Sequence, residues 1–132
     1  MKKPADAAKI LATKAGEDLA VVEVCLKEDL PPSPLCFHCQ QAAEKLLKAY
    51  LTALDLDFPW THDLQPLLRL AEQSAPRLGA FREPLESFDG YAVRLRYDID
   101  VPVSREDAVS AFETAVRLRD VIHALLPPEA RP

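Results

Sequence analysis

Glycine is scarce in this sequence, with three among 132 residues. Because glycine supplies the positive φ angles of tight turns, β-hairpins have few places to form. No stretch alternates apolar and polar residues for long enough to predict a strand, and only residues 101–103 suggest extended chain. No uninterrupted apolar run resembles a secretion signal or a membrane span, so we expect a cytoplasmic protein without a membrane anchor.

An excess of positive charge is also absent, since the formal net charge is −5 at pH 7. Sequence-blind binding to duplex nucleic acid requires many lysines and arginines, so the charge argues against this mode but leaves room for a local basic site. Three cysteines, Cys25, Cys36 and Cys39, predict reduced thiols rather than a disulfide framework. A length of 132 residues fits one domain, and a hydrophobic content of 48% is too high for a disordered chain, so we predict one folded domain over residues 1–132.

Twelve prolines separate segments of helical periodicity. The spacing of apolar residues predicts a first helix over residues 7–26 and a second over residues 35–54. Ser33 is the predicted cap of the second helix and Pro34 its first residue.

Three further helices are predicted after the second. Thr61 is the expected cap of a third helix, which the prolyl segment at residues 74–76 breaks. A fourth starts at Phe81 or Pro84, and a capping box at residues 104–107 starts the fifth. The predicted fold is therefore all-α, an up-and-down antiparallel bundle of four long helices plus a short additional helix.

One face of the second helix carries His38, Gln41 and Lys45 at spacings of three and four. An imidazole, an amide and an ammonium in line can recognise a phosphate and a base. A solvated or subunit-facing stripe explains the same spacing and is the favoured interpretation. Gln40 lies nearer the apolar side and is expected to make a buried hydrogen bond.

The segment Thr61, His62, Asp63 is explained most simply as a helix cap, with Asp63 favourable near the helix dipole. Histidine also transfers protons near neutral pH, so His62 is a candidate acid–base residue.

A local basic and aromatic cluster comprises Tyr91, Arg94, Arg96 and Tyr97. Arginine binds phosphate and tyrosine stacks on bases, so the cluster is a candidate site for a nucleotide or a flexible RNA end. Two aspartates follow directly, and ion pairs with them are the competing interpretation.

A CxxC pair with an intervening histidine occupies residues 36–39. Cys25 and His62 could complete a metal site, but there is no second CxxC, and no sheet beside which a redox pair would normally lie. We therefore predict buried or half-buried thiols, with no metal and no cofactor.

The block at residues 37–48, beginning Phe-His-x-Gln-Gln-Ala-Ala-Glu-Lys, and the block Thr-His-Asp-Leu at residues 61–64 resemble the HEPN domain (higher eukaryotes and prokaryotes nucleotide-binding). The resemblance implies a bundle of four or five helices, association with nucleotides or RNA, and frequent homodimers. Many members are encoded beside a minimal nucleotidyltransferase, which forms a toxin–antitoxin pair with them or completes a split enzyme.

Ribonuclease members of that family carry an arginine, then four to six residues, and then a histidine close to the last helix. After Arg94, Arg96 and Arg105 the required positions hold other residues. The resemblance therefore implies a nucleotide- or RNA-associated binding protein and partner of a separately encoded nucleotidyltransferase. Two alternatives are a ribonuclease with a non-standard pair such as Arg96 and His62, and a helical protein–protein adaptor.

Overall fold

The computed structural model describes residues 3–88 and 103–132. These two ranges contain helices and no strand, which confirms the all-α prediction. Within the same ranges, no helix combines the length and apolarity needed to span a bilayer. The α-helices are α1 (Pro4–Lys27), α2 (Pro32–Ala53), α3 (Leu64–Ser74), α4 (Arg82–Glu86) and α5 (Arg105–Leu125), and 3-10 turns lie at Pro76–Phe81 and Pro128–Ala130.

Two predicted helix starts are wrong in detail. Helix α2 begins three residues early, at Pro32, and Pro31 precedes it without a capping side chain, so Ser33 is not the cap. A helix tolerates proline in its first turn because those N–H groups have no intrahelical acceptor. Thr61 is not a cap either: its hydroxyl accepts the N–H of Asp63, which forms a turn before α3.

Other predicted boundaries agree with the structure. The capping box of α5 is present, because Ser104 accepts from the Asp107 N–H while the Asp107 carboxylate accepts from the Ser104 N–H. Helix α3 ends at Ser74 as predicted, and α4 starts within the predicted region. The later part of the predicted fourth helix lies outside the described residues.

Aspartate replaces the scarce glycine where α1 and α2 end. Asp29 and Asp55 have φ angles of 55° and 56°, the left-handed conformation that glycine usually supplies after a helix. The N–H of Leu56 then donates to the Leu51 carbonyl over 3.0 Å, which closes the end of α2. This turn starts the connector, by which we mean residues 54–63, toward α3.

Helix α2 lies at the centre of the packing and contacts α1, α3 and α5. Alanines on the buried side of α1, among them Ala8, Ala12 and Ala15, allow its backbone to approach α2 closely. Arg105 at the start of α5 donates to the Leu26 carbonyl near the end of α1. The turn after α5 packs against α1 as well, so α5 runs opposite to α1.

Candidate functional site

A polar strip runs along α2 between α1 and the connector. Its members are polar or charged and lie mostly at intermediate or low exposure. The name polar strip is used below for these six residues of α2: His38, Gln40, Gln41, Glu44, Lys45 and Lys48.

The α1 side of the polar strip is organised by Asp18. The Lys45 Nζ donates to Asp18 Oδ2 over 2.6 Å, and the His38 Nδ1 faces Oδ1 at 3.5 Å. That histidine nitrogen has no hydrogen-bond partner among the described residues. The Asp18 side chain is 17% exposed and that of His38 39%, so the carboxylate lies deeper than the imidazole.

The connector side of the polar strip is organised by Glu44. The His62 Nδ1 lies 3.1 Å from Glu44 Oε1, and the Lys48 Nζ donates to Oε2 over 3.0 Å. An ionised carboxylate only accepts, so a hydrogen bond between this pair requires the proton of His62 to be on Nδ1. The Glu44 side chain is 8% exposed and that of His62 65%, so the buried carboxylate orients a largely exposed imidazole.

Two glutamines form a hydrogen-bonded chain to His62 on the connector side. The Gln41 Nε2 donates to Gln40 Oε1, and the Gln40 Nε2 donates to the carbonyl of His62, each over 2.9 Å. Gln40 is buried, which confirms its predicted role. His62 is thus held twice by α2, through its backbone by Gln40 and through its ring by Glu44.

Aromatic residues of the connector lie beside Lys48. The Nζ of Lys48 is 5.8 Å from the ring centre of Trp60 and 6.0 Å from that of Phe58. Trp60 is 96% exposed, although a large apolar side chain gains free energy from burial. An open indole face beside an ammonium can stack a base while the ammonium attracts phosphate.

The connector cluster, by which we mean Glu44, Lys48, Trp60 and His62, therefore combines three chemical functions. The indole offers a stacking surface and Lys48 a positive charge. A neutral His62 with its proton on Nδ1 has a lone pair on Nε2 and can accept a proton there. The predicted residues Tyr91, Arg94, Arg96 and Tyr97 lie outside the described residues.

Two of the three thiols, Cys36 and Cys39, lie on the apolar side of α2, and the third, Cys25, lies near the end of α1. Cys36 and Cys39 are fully buried and Cys25 is half-buried, as predicted. Burial, with smaller contributions from Cys36 and Asp18, raises the pKa of Cys39 to about 12, so the reactive thiolate does not form at neutral pH. Residues 3–88 and 103–132 contain no group of three acidic, histidine or cysteine side chains arranged to hold a metal ion.

Four residues of this site are not predicted from the sequence: Asp18, Glu44, Lys48 and Trp60. Glu44 and Lys48 are four residues apart, a spacing that predicts their ion pair. No local spacing predicts the contact between Glu44 and His62, and none predicts that Trp60 is exposed.

A family model of the HEPN domain matches residues 8–125 of the chain. The matched range contains all of the polar strip, the connector and their partner Asp18. No curated protein and no solved structure matches the chain.

Proposed function

The chain belongs to the HEPN domain family, and from this premise we propose that it binds a nucleotide or a single-stranded RNA end at the connector cluster. Family membership supports a nucleotide- or RNA-related function in general. In the proposed complex a base stacks on Trp60, and Lys48 and His62 face the phosphate.

The exposure of Trp60 beside Lys48 is the observation that carries the proposal. Base stacking on an aromatic side chain contributes about 1–3 kcal/mol and tolerates any base. In the free protein the carboxylate of Glu44 pairs with the ammonium of Lys48. A ligand phosphate must compete with this carboxylate for Lys48, and Glu44 then still has His62 as a donor. The exposed indole and the adjacent ammonium favour an anionic ligand that carries an unpaired base.

Intrinsic fluorescence tests this binding directly, because Trp60 is the single tryptophan of the chain. We expect ATP and a short single-stranded RNA to quench its emission saturably in the wild type. Lys48→Met should weaken the binding about tenfold, on the order of 1.4 kcal/mol. Lys14→Met, at an exposed lysine of α1, serves as the matched control. The absence of saturable quenching with either ligand would remove the proposal.

Arg94 and Arg96 remain proposed as further phosphate contacts, with Tyr91 and Tyr97 as stacking residues. His38, Gln41 and Lys45 line the adjacent part of the polar strip in this proposal. The double variant Arg94→Ala/Arg96→Ala tests the arginines, since equal affinity for ATP and RNA in both proteins would eliminate their role.

RNA cleavage is a second candidate function, which the pairing of His62 with Glu44 favours. A histidine whose Nδ1 is held by a carboxylate can accept at Nε2 the proton of a ribose 2′-hydroxyl. The 2′-oxygen then bonds to the adjacent phosphorus while the bond to the 5′-oxygen of the next nucleotide breaks, and that oxygen leaves with a proton from water. Incubation with total RNA should then give fragments that His62→Ala abolishes and Lys14→Met, at the exposed lysine of α1, preserves. Equal cleavage by both variants would eliminate this function.

We further propose that the chain forms a homodimer and acts with a separately encoded nucleotidyltransferase. The exposed Ile10, Val21 and Val24 of α1 support an interface, because apolar side chains gain free energy from coverage. Sedimentation should give a dimer for the wild type and a monomer for Val24→Asp. A monomeric wild type would refute the dimer.

Copurification tests the pairing with a nucleotidyltransferase. Failure of the chain to copurify with a nucleotidyltransferase encoded beside it would refute the pairing.

A further inference from the structure

The polar strip carries the same arrangement twice. On the connector side, Glu44 holds Lys48 and His62, at 3.0 and 3.1 Å. On the α1 side, Asp18 holds Lys45 at 2.6 Å and faces His38 at 3.5 Å. Each carboxylate is less exposed than the histidine and the lysine beside it, so in both clusters the histidine and lysine side chains are the more accessible groups.

Gln41 lies between the two clusters. It donates to Gln40, which donates to the backbone of His62, and its position on α2 is three residues after His38 and four before Lys45, so it shares their helix face. His38 and Lys48 are ten residues apart on α2, which is roughly 15 Å along the helix axis at 1.5 Å per residue. A mononucleotide with its base on Trp60 and its phosphate at Lys48 occupies only one end of this length.

We infer that the ligand of the polar strip is a single strand of RNA longer than one nucleotide, whose backbone continues from Lys48 toward Lys45 and His38. The inference rests on the proposed function, because it places the first base on Trp60. His38, Gln41 and Lys45 then form a second subsite, which takes a following phosphate or ribose hydroxyl.

The charge and the aromatic content of the site favour a single strand over a duplex. The chain carries a net charge of −5, and the polar strip offers two lysines, each paired with a carboxylate. Duplex binding depends on many unpaired cations, whereas single-strand binding obtains much of its free energy from bases stacked on aromatic residues. Stacking on Trp60 also requires an unpaired base.

A length series of oligoadenylates tests the inference by the fluorescence of Trp60. We expect affinity to rise about tenfold or more from AMP to the hexanucleotide, since added subsites contribute to binding. Equal affinity of AMP and the hexanucleotide would overturn the inference and leave the proposed function intact. Quenching by none of the ligands would overturn both.

The His38→Gln variant locates the second subsite. Its imidazole makes no hydrogen bond through Nδ1 within the described residues, so glutamine should be tolerated, which thermal unfolding checks. We expect hexanucleotide affinity to fall about fivefold while AMP affinity stays unchanged, because only the longer ligand reaches this end. His123→Gln, in the last turn of α5, is the matched control. A hexanucleotide affinity unaffected by His38→Gln would overturn the placement.

Discussion

The two faces of α2 differ in how accessible their reactive side chains are to solvent. Its apolar face presents Cys36, Cys39 and Leu47, each with no measurable exposure. Its other face presents Gln41, Lys45 and Lys48 at intermediate exposure. Both faces carry residues capable of chemistry, but burial disables the thiols while ion pairs with carboxylates hold the lysines at the surface. The comparison shows that the same helix supplies the core and the candidate site.

The largest expected effect belongs to the apolar face. Leu47→Ala should lower the free energy of unfolding by about 2–5 kcal/mol, because it removes buried methylene groups and leaves a cavity. Urea denaturation measures this loss. Leu54→Ala, at a partly exposed leucine just after α2, should change stability by less than about 0.5 kcal/mol. Equal losses in both variants would contradict the assignment of faces.

A smaller loss is expected where the two faces meet, at Glu44. Glu44→Gln should destabilise the fold by about 1–3 kcal/mol, because Lys48 and His62 lose a largely buried charged acceptor. The matched control is Glu23→Gln, whose exposed carboxylate lies 3.9 Å from Lys27 and should contribute less than about 1 kcal/mol. Urea denaturation at neutral pH compares the two, and a Glu44→Gln protein as stable as the wild type would contradict this role.

Thiol labelling measures how accessible the apolar face of α2 is in the native protein and requires no substitution. In the native protein at pH 8, iodoacetamide should modify the half-buried Cys25 before Cys36 and Cys39, because Cys39 is buried and its pKa is about 12. All three should react once urea unfolds the chain. Mass spectrometry of the digested protein assigns the label, and rapid native modification of Cys39 would show that this face is open.

The sequence predicts a helix boundary well where a short local motif determines it. Ser104 and Asp107 satisfy the first N–H groups of α5 within four residues, so a short motif determines that boundary. The start of α2 was mispredicted because Pro32 and Pro34 both fit a first turn, and the sequence does not choose between them.

The site was harder to predict because its contacts are distant in sequence. Asp18 reaches Lys45 across 27 positions, and Glu44 reaches His62 across 18. Helical periodicity places His38, Gln41 and Lys45 on one face but does not identify the partner on another element. The exposure of Trp60 depends on the path of the connector, which no spacing rule describes.

Stacking on Trp60 is tested most directly by the anisotropy of a fluorescently labelled single-stranded RNA titrated with wild type, Trp60→Phe and Trp60→Ala. Because the indole is exposed, both variants should unfold within about 0.5 kcal/mol of the wild type. We predict that Trp60→Ala weakens binding by about 1–3 kcal/mol and that Trp60→Phe retains most of the affinity. Tight binding of the RNA by Trp60→Ala, equal to that of the wild type, would contradict the account.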